Sequence, residues 1–279
     1  MHQSEAKLDK AQRWWNTEII EIKPGEIYIR GYPIQELIGQ LSFAQMIWLM
    51  LRGDIPSTAQ AHLLESALVA AVDHGPQAPS IAIARMAATC GTGLNNAMGS
   101  AINVLGDVHG GAGQQCMELL QQVNARSEGG VDLATATSFE LDEFTKRHGK
   151  IIPGFGHRFH LVDPRVAPLL ERVKRAVERG DVRGAHFAVA GAIHDALRHR
   201  TGRTLSMNID GVTAVIYCEL GFPPPLGRGL FVLSRSVGIL AHAWEQEQRG
   251  ERIKGPMPKE IPYTYSGPAR RHLKNPVSS

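Results

Sequence analysis

Cysteine is scarce in this chain: Cys90, Cys116 and Cys218 are the only ones in 279 residues. Three widely spaced thiols build neither a disulfide framework nor a CxxC site, so a reducing compartment is the default. Long apolar runs are missing as well. A run such as Met46 to Leu51 is far short of the roughly 20 apolar residues that cross a bilayer. The stretch from Met1 to Trp15 is polar and charged, unlike a secretory signal. Neither sign of charge dominates, with 30 Lys and Arg against 27 Asp and Glu. That balance argues against a protein whose main partner is a nucleic-acid backbone. No internal repeat or low-complexity segment is present. With 43% hydrophobic and 20% charged residues, the composition is globular rather than disordered. The expectation is a soluble, cytoplasmic protein of one large domain or two ordinary ones, with no nucleic acid or membrane as partner. What the chain does hold is 29 glycines and 12 histidines.

The patterning predicts an all-α fold with a short N-terminal β-hairpin. Residues 17–30 alternate around Pro24-Gly25, a hairpin signal. After that the period lengthens. Ser42 caps an apolar run that stops at Arg52-Gly53, and Ser57 with Gln60 forms a capping box for a helix to about Asp73. Further helices are expected at about 80–104, 112–125, 131–148, 164–179, 184–200, 210–220 and 228–248. Glycine and proline punctuate them, and the last ~30 residues read as an irregular tail.

Three loops concentrate groups able to do acid–base work. In Gly106-Asp-Val-His109-Gly110-Gly111, the glycines let backbone approach a ligand, and the helix that follows offers its N-terminus to an anion. A histidine in an ordinary interhelix turn is the plainer account. The second loop, Pro153-Gly154-Phe155-Gly156-His157-Arg158, reads as a rigid but exposed path with an imidazole at its tip. The third, Met207-Asn208-Ile209-Asp210, enters an apolar helix, where helix capping competes with catalysis as the reason for Asn and Asp. Arg235 sits in an otherwise apolar helix and must find a partner or bind an anion. Other signals are weaker. His157 with His160, and His194 with His199, lack a carboxylate or cysteine partner at metal spacing, so no metal site is expected. Gly91-Thr-Gly93 lacks the rest of a dinucleotide fingerprint.

His-Gly-Gly, Pro-Gly-Phe-Gly-His and Asn-Ile-Asp in this order resemble the citrate synthase family. The resemblance runs along nearly the whole chain. Arg30-Gly-Tyr-Pro-Ile34, Asp73-His74, Asp163-Pro-Arg165 and Arg235-Ser-Val-Gly238-Ile-Leu-Ala-His242 look like further family segments. It implies two mostly helical domains closing over a cleft, a large one from 1–110 and 221–279 and a smaller one from 111–220. It also implies a homodimer acting on coenzyme A thioesters, with no permanently bound cofactor. By resemblance Asp210 is the base, His109 stabilises the enol, and His157 is the acid at the ketone or hydroxyl oxygen. His74, Arg165 and Arg235 would hold the dicarboxylate, a task that suits the planar arginine fork. Pro153, Gly154 and Gly156, with Arg158, would meet the coenzyme A adenine end.

One departure separates the chain from the synthases of that family. Their late Arg-Pro-Arg, supplied across the dimer to a substrate carboxylate, is replaced by Arg252-Ile-Lys254-Gly255-Pro256-Met257. Arg252 and Lys254 are the candidate substitutes. The altered tail, the compact length and the Gly-His-Arg context of His157 favour the citryl-CoA lyase branch. On that reading citryl-CoA is cleaved to acetyl-CoA and oxaloacetate. The alternatives are a citrate or 2-methylcitrate synthase, and a non-catalytic helical CoA-binding or scaffold protein.

Overall fold

The computed structural model describes residues 10–156, 162–202, 205–255, 258 and 260–272. The fold is mostly helical, 60% helix and 5% strand. Strands β1 (Ile20–Lys23) and β2 (Glu26–Ile29) pair antiparallel about Pro24-Gly25, as the alternation predicts, with Ile20 opposite Ile29. A two-residue β3 (Tyr32–Pro33) joins through Arg30-Gly31, whose φ values of 49° and 85° give the tight turn. Arg30 Nη2 donates to Met50 O at 2.9 Å and pins the hairpin to the helices.

Helices α1 (Ile34–Leu37), α2 (Phe43–Arg52) and α3 (Thr58–Ala71) follow. Ser42 with Gln45, and Ser57 with Gln60, close reciprocal capping boxes on α2 and α3. The single helix expected over 80–104 is instead two, α4 (Pro79–Thr89) and α5 (Gly93–Ile102). Gly91 and Gly93 take left-handed φ of 73° and 74° and break it. Next come α6 (Ala112–Glu128), α7 (Leu133–His148), α8 (Val166–Glu178), α9 (Ala185–Thr201) and α10 (Ile209–Glu219). The last, α11 (Pro224–Gln248), begins a turn earlier than the expected 228. Its first positions are prolines, tolerated there because those N–H groups have no partner inside a helix.

Helix α10 is the axis of the main core. Ile209 and every residue from Gly211 to Cys218 are buried. Around it pack Trp48 and Leu64 from α2 and α3, Met117 and Leu120 from α6, Val173 from α8, Ile193 from α9 and Leu230 from α11. This cluster joins residues on both sides of 110 and of 220. A smaller cluster unites α4 and α5 with Ile239 and Ala243 of α11. Helix α11 therefore spans from the main core to the second cluster, and the candidate site lies along its middle. No described helix is long and apolar enough to cross a membrane.

Candidate active site

The site is built around the C-terminal end of α3. Two arginines reach its last carbonyls from different elements. Arg235 on α11 donates Nε to Ala71 O at 3.1 Å, and Arg165 aims Nη1 at Ala70 O at 3.5 Å. These carbonyls have no intrahelical donor, so cations complement them. Helix α11 comes this close because position 238 has no side chain: a Cβ at Gly238 would stand 2.3 Å from Val72 O. Asp73 and His74 follow at once, and His74 is partly buried.

Arg235 is 5% exposed, lies over the Phe231 ring at 4.9 Å, and forms no ion pair among the described residues. Burial lowers its pKa, while the charges of Asp73 and Asp210 work the other way. It is thus a buried cation with carboxylates near but none bonded, a state that favours an incoming anion.

His109 is placed by its glycine loop, closed by Gly106 N–H to His109 O at 2.8 Å. Gly111 is obligatory, since a Cβ there would meet Asp107 O at 2.5 Å. The His109 Nε2 lies 3.2 Å from Ser80 N and 3.1 Å from Ser80 Oγ. Ser80 N–H is an unpaired donor of the first turn of α4, so Nε2 accepts and the ring proton belongs on Nδ1. Burial, with the charge of Arg235, lowers the His109 pKa. At neutral pH His109 is therefore an uncharged imidazole with a donor Nδ1–H. Ser80, fully buried against His109, belongs to the candidate site, and motif reading did not single it out. Its only signal was its place just after Pro79, at a helix start.

The second loop is corrected by the structure. It is not an exposed path: Ile152, Pro153, Gly154 and Phe155 are all buried, and only Gly156 is partly open. Phe155 enters the main core. Gly154 takes φ 85°, and a Cβ there would lie 2.6 Å from Cys116 Sγ and 2.7 Å from Gly211 Cα. The strand of chain is laced to the third loop by Asn208 N–H to Gly154 O (2.9 Å), Gly156 N–H to Ser206 O (2.8 Å) and a Phe155–Met207 bridge. Asn208 Nδ2 also donates to Gly156 O at 2.7 Å. Gly154 O, Gly156 N–H and Gly156 O are thus engaged inside the protein. His157 and Arg158, which follow, lie outside the described residues, as does His160.

Of the two residues that could cap at the third loop, only one does so. Asn208 is the cap of α10, its Oδ1 accepting from Gly211 N at 3.2 Å. Asp210 stands inside the first turn with no such duty. Burial raises the Asp210 pKa; Arg235 and Arg165 oppose the rise, and Asp163 adds to it. Gly113, at the start of α6, would bring a Cβ within 4.0 Å of Asp210 Oδ1, so the starts of α6 and α10 share this corner.

Arg165 is held differently. Its Nε and Nη2 form a bidentate pair with Asp163 Oδ1 and Oδ2 at 2.9 and 2.8 Å. Asp163 is 1% exposed and also accepts from Ile209 N–H at the start of α10 at 3.2 Å. Burial opposes its charge, but the bonds from Arg165 and the backbone win and bring its pKa to about 2. Arg252 is not brought to this site within its own chain. It is exposed and precedes Ile253 and Lys254, whose N–H groups bond Thr89 at the far end of α4. That is about 14 Å along the helix from Ser80, at 1.5 Å per residue. Among the described residues no group of three or more His, Cys, Asp or Glu could hold a metal.

The family profile of the citrate synthase C-terminal domain matches residues 12–66 and 56–256. The chain belongs to the citrate synthase family. A citrate synthase of Heyndrickxia coagulans is 31% identical over 77% of this chain and 55% of its own length. The chain thus spans about half the length of such curated relatives. A solved citryl-CoA lyase from Hydrogenobacter thermophilus matches with TM-score 0.82 and 31% identity, over 93% of this chain and 97% of that one. An ATP citrate lyase from Methanothrix soehngenii, solved with citrate and coenzyme A, shares the fold at TM-score 0.75 and 22% identity, over 91% of this chain and 42% of that one.

Proposed function

We propose that the chain is a citryl-CoA lyase-type enzyme that cleaves citryl-CoA to acetyl-CoA and oxaloacetate. The observation that carries this reading is the group formed by His109 fixed on Ser80, Asp210 free of capping, and the unpaired Arg235, which acts electrostatically on both. Each has a task in breaking a carbon–carbon bond beta to a thioester. Arg235 and His74, with the remaining Nη1 of Arg165, bind the carboxylates of the citryl end. His157 takes the hydroxyl proton, the ketone of oxaloacetate forms, and the bond electrons pass into the thioester. The Nδ1–H of His109 supports the enolate oxygen; a neutral donor suits a charge that is delocalised and short-lived. Asp210 protonates the methylene carbon to give acetyl-CoA. Its raised pKa suits this, because burial favours the protonated carboxyl that the step consumes.

The end-to-end likeness to the Hydrogenobacter thermophilus lyase supports cleavage rather than synthesis. The second reading, a citrate or 2-methylcitrate synthase, is favoured by the curated relatives, whose names are citrate synthase and citrate/2-methylcitrate synthase. Coenzyme A enters as thioester substrate rather than resident cofactor. A homodimer in the cytoplasm completes the proposal. Its support is an exposed apolar stripe on α11, Leu233, Val237, Leu240 and Trp244, and an Arg252 remote from its own cleft. The division into 1–110 with 221–279, and 111–220, belongs to the same proposal.

The test supplies citryl-CoA and follows oxaloacetate and free thiol side by side. Oxaloacetate release is expected to outrun thiol release, and to fall by roughly 10²–10⁴ in Asp210→Asn with unchanged melting temperature. Thiol release equal to or above oxaloacetate release establishes the synthase reading instead. Neither product, from a folded protein, leaves the scaffold reading standing.

A further inference from the structure

Asp73 poses a problem that the proposed site does not solve by itself. Of the carboxylates near Arg235 it acts most strongly on that charge, and it follows α3 directly, two residues after the carbonyl that Arg235 holds. A carboxylate so placed tends to close on a buried guanidinium and neutralise it. It does not: among the described residues Arg235 has no ion pair, and Asp73 Oδ1 is buried without a hydrogen bond. The other oxygen, Oδ2, is held away. It accepts from Gly75 N–H at 3.1 Å and faces His242 Nε2 at 3.3 Å.

His242 is itself fixed on its far side. Its Nδ1 lies 3.2 Å from Arg85 Nη1, and Arg85 pairs with Glu245 at 2.7 Å. Arginine can only donate, so Nδ1 accepts and the ring proton sits on Nε2, pointing at Asp73. Arg85 thus selects the tautomer that can hold the carboxylate. Ser234, Arg235, Gly238 and His242 line one face of α11 against residues 68–73, so the restraint and the arginine it protects ride on one rigid helix.

We propose that His242 is a positioning residue that holds Asp73 off Arg235 and so keeps the guanidinium open to a substrate carboxylate. This rests on the reading of Arg235 as the dicarboxylate-binding group. The ligand concerned is the oxaloacetate portion, not coenzyme A. When His242 is lost, Asp73 turns onto Arg235 and competes with the substrate, and removing the Asp73 charge cancels that loss.

The experiment measures oxaloacetate and coenzyme A affinity by calorimetry on the purified protein. His242→Leu is expected to bind oxaloacetate roughly tenfold more weakly, a change worth one exchanged charge pair, with coenzyme A unaffected. The pair Asp73→Asn with His242→Leu is expected back within about twofold of the wild type, since Asn offers Arg235 only a neutral acceptor. His242→Gln, which can still donate to Asp73, should bind oxaloacetate like the wild type. A merely structural His242 predicts the opposite, a double variant at least as impaired as the single. That result overturns the proposal, as does wild-type affinity in His242→Leu. Should His242→Leu not fold, Asp73→Asn alone decides: unchanged or tighter oxaloacetate binding supports the competition, and a roughly tenfold loss refutes it. A wild-type protein that binds no oxaloacetate overturns the functional reading itself.

Discussion

Arg165 and Arg235 reach neighbouring carbonyls at the end of α3, yet they live in different electrostatic regimes. Arg165 grips Asp163 with both arms of its fork, and Asp163 in turn holds the first turn of α10. Arg235 has a carbonyl and an aromatic ring for company and, among the described residues, no bonded carboxylate. In the first arrangement Nε and Nη2 are taken by Asp163, and only Nη1 is left over. The second is a buried cation whose desolvation is only partly offset. Chemical type and position at the end of α3 alone would have grouped the two residues together. Their partners separate one that mainly holds the α8–α10 corner from one that is available to a ligand.

Breaking the closed pair should give the larger effect. Asp163→Ala leaves Arg165 without its partner and deprives Ile209 N–H of its acceptor, and should cost about 3–5 kcal/mol of stability by denaturant titration. Arg235→Met should do the reverse. Stability is expected within about 1 kcal/mol of wild type, because an unpaired buried charge is exchanged for an apolar chain of similar reach. Oxaloacetate affinity should fall roughly 30- to 100-fold while coenzyme A binding persists, a loss of about 2–3 kcal/mol. Equal loss of both ligands would show that Arg235 too is structural and erase the contrast.

The smallest effect is a pH signature. Asp163 has its pKa brought to about 2 in the folded chain against an ordinary 3.8. A depressed carboxylate stabilises the fold above its unfolded pKa, and that contribution disappears as pH falls from about 4 through about 2. It amounts to roughly 2 kcal/mol. Acid titration of stability should show it in wild type and lack it in Asp163→Asn. Arg235→Met should keep it, since Asp163 bonds to Arg165 rather than to Arg235.

Much of the fold was legible locally. Hairpin alternation, capping boxes and glycine stops act over a few residues, and the elements they announced formed. The expectations that failed involve glycine and proline in dual roles. Gly91 and Gly93 fall inside the pattern of a single helix, and a glycine there can be tolerated or can break it. Pro153 to Phe155 read as exposed because proline and glycine usually mark surface loops. Here Phe155 drew the loop into the core, and Gly154 allowed α10 to pack against it.

The chemistry divides the same way. By itself the sequence determined the residue types and their order: imidazoles beside glycines, a carboxylate at a helix start, an arginine among apolar neighbours. These follow from covalent sequence and short-range helix geometry. Which of them are free to act depends on long-range packing. It gave the cap to Asn208 and left Asp210 unencumbered, set Ser80 against His109 and so chose the tautomer, tied Arg165 to Asp163, and put His242 between Asp73 and Arg85. Protonation and availability depend on partners many residues away and on burial, and neither can be read from neighbours along the chain.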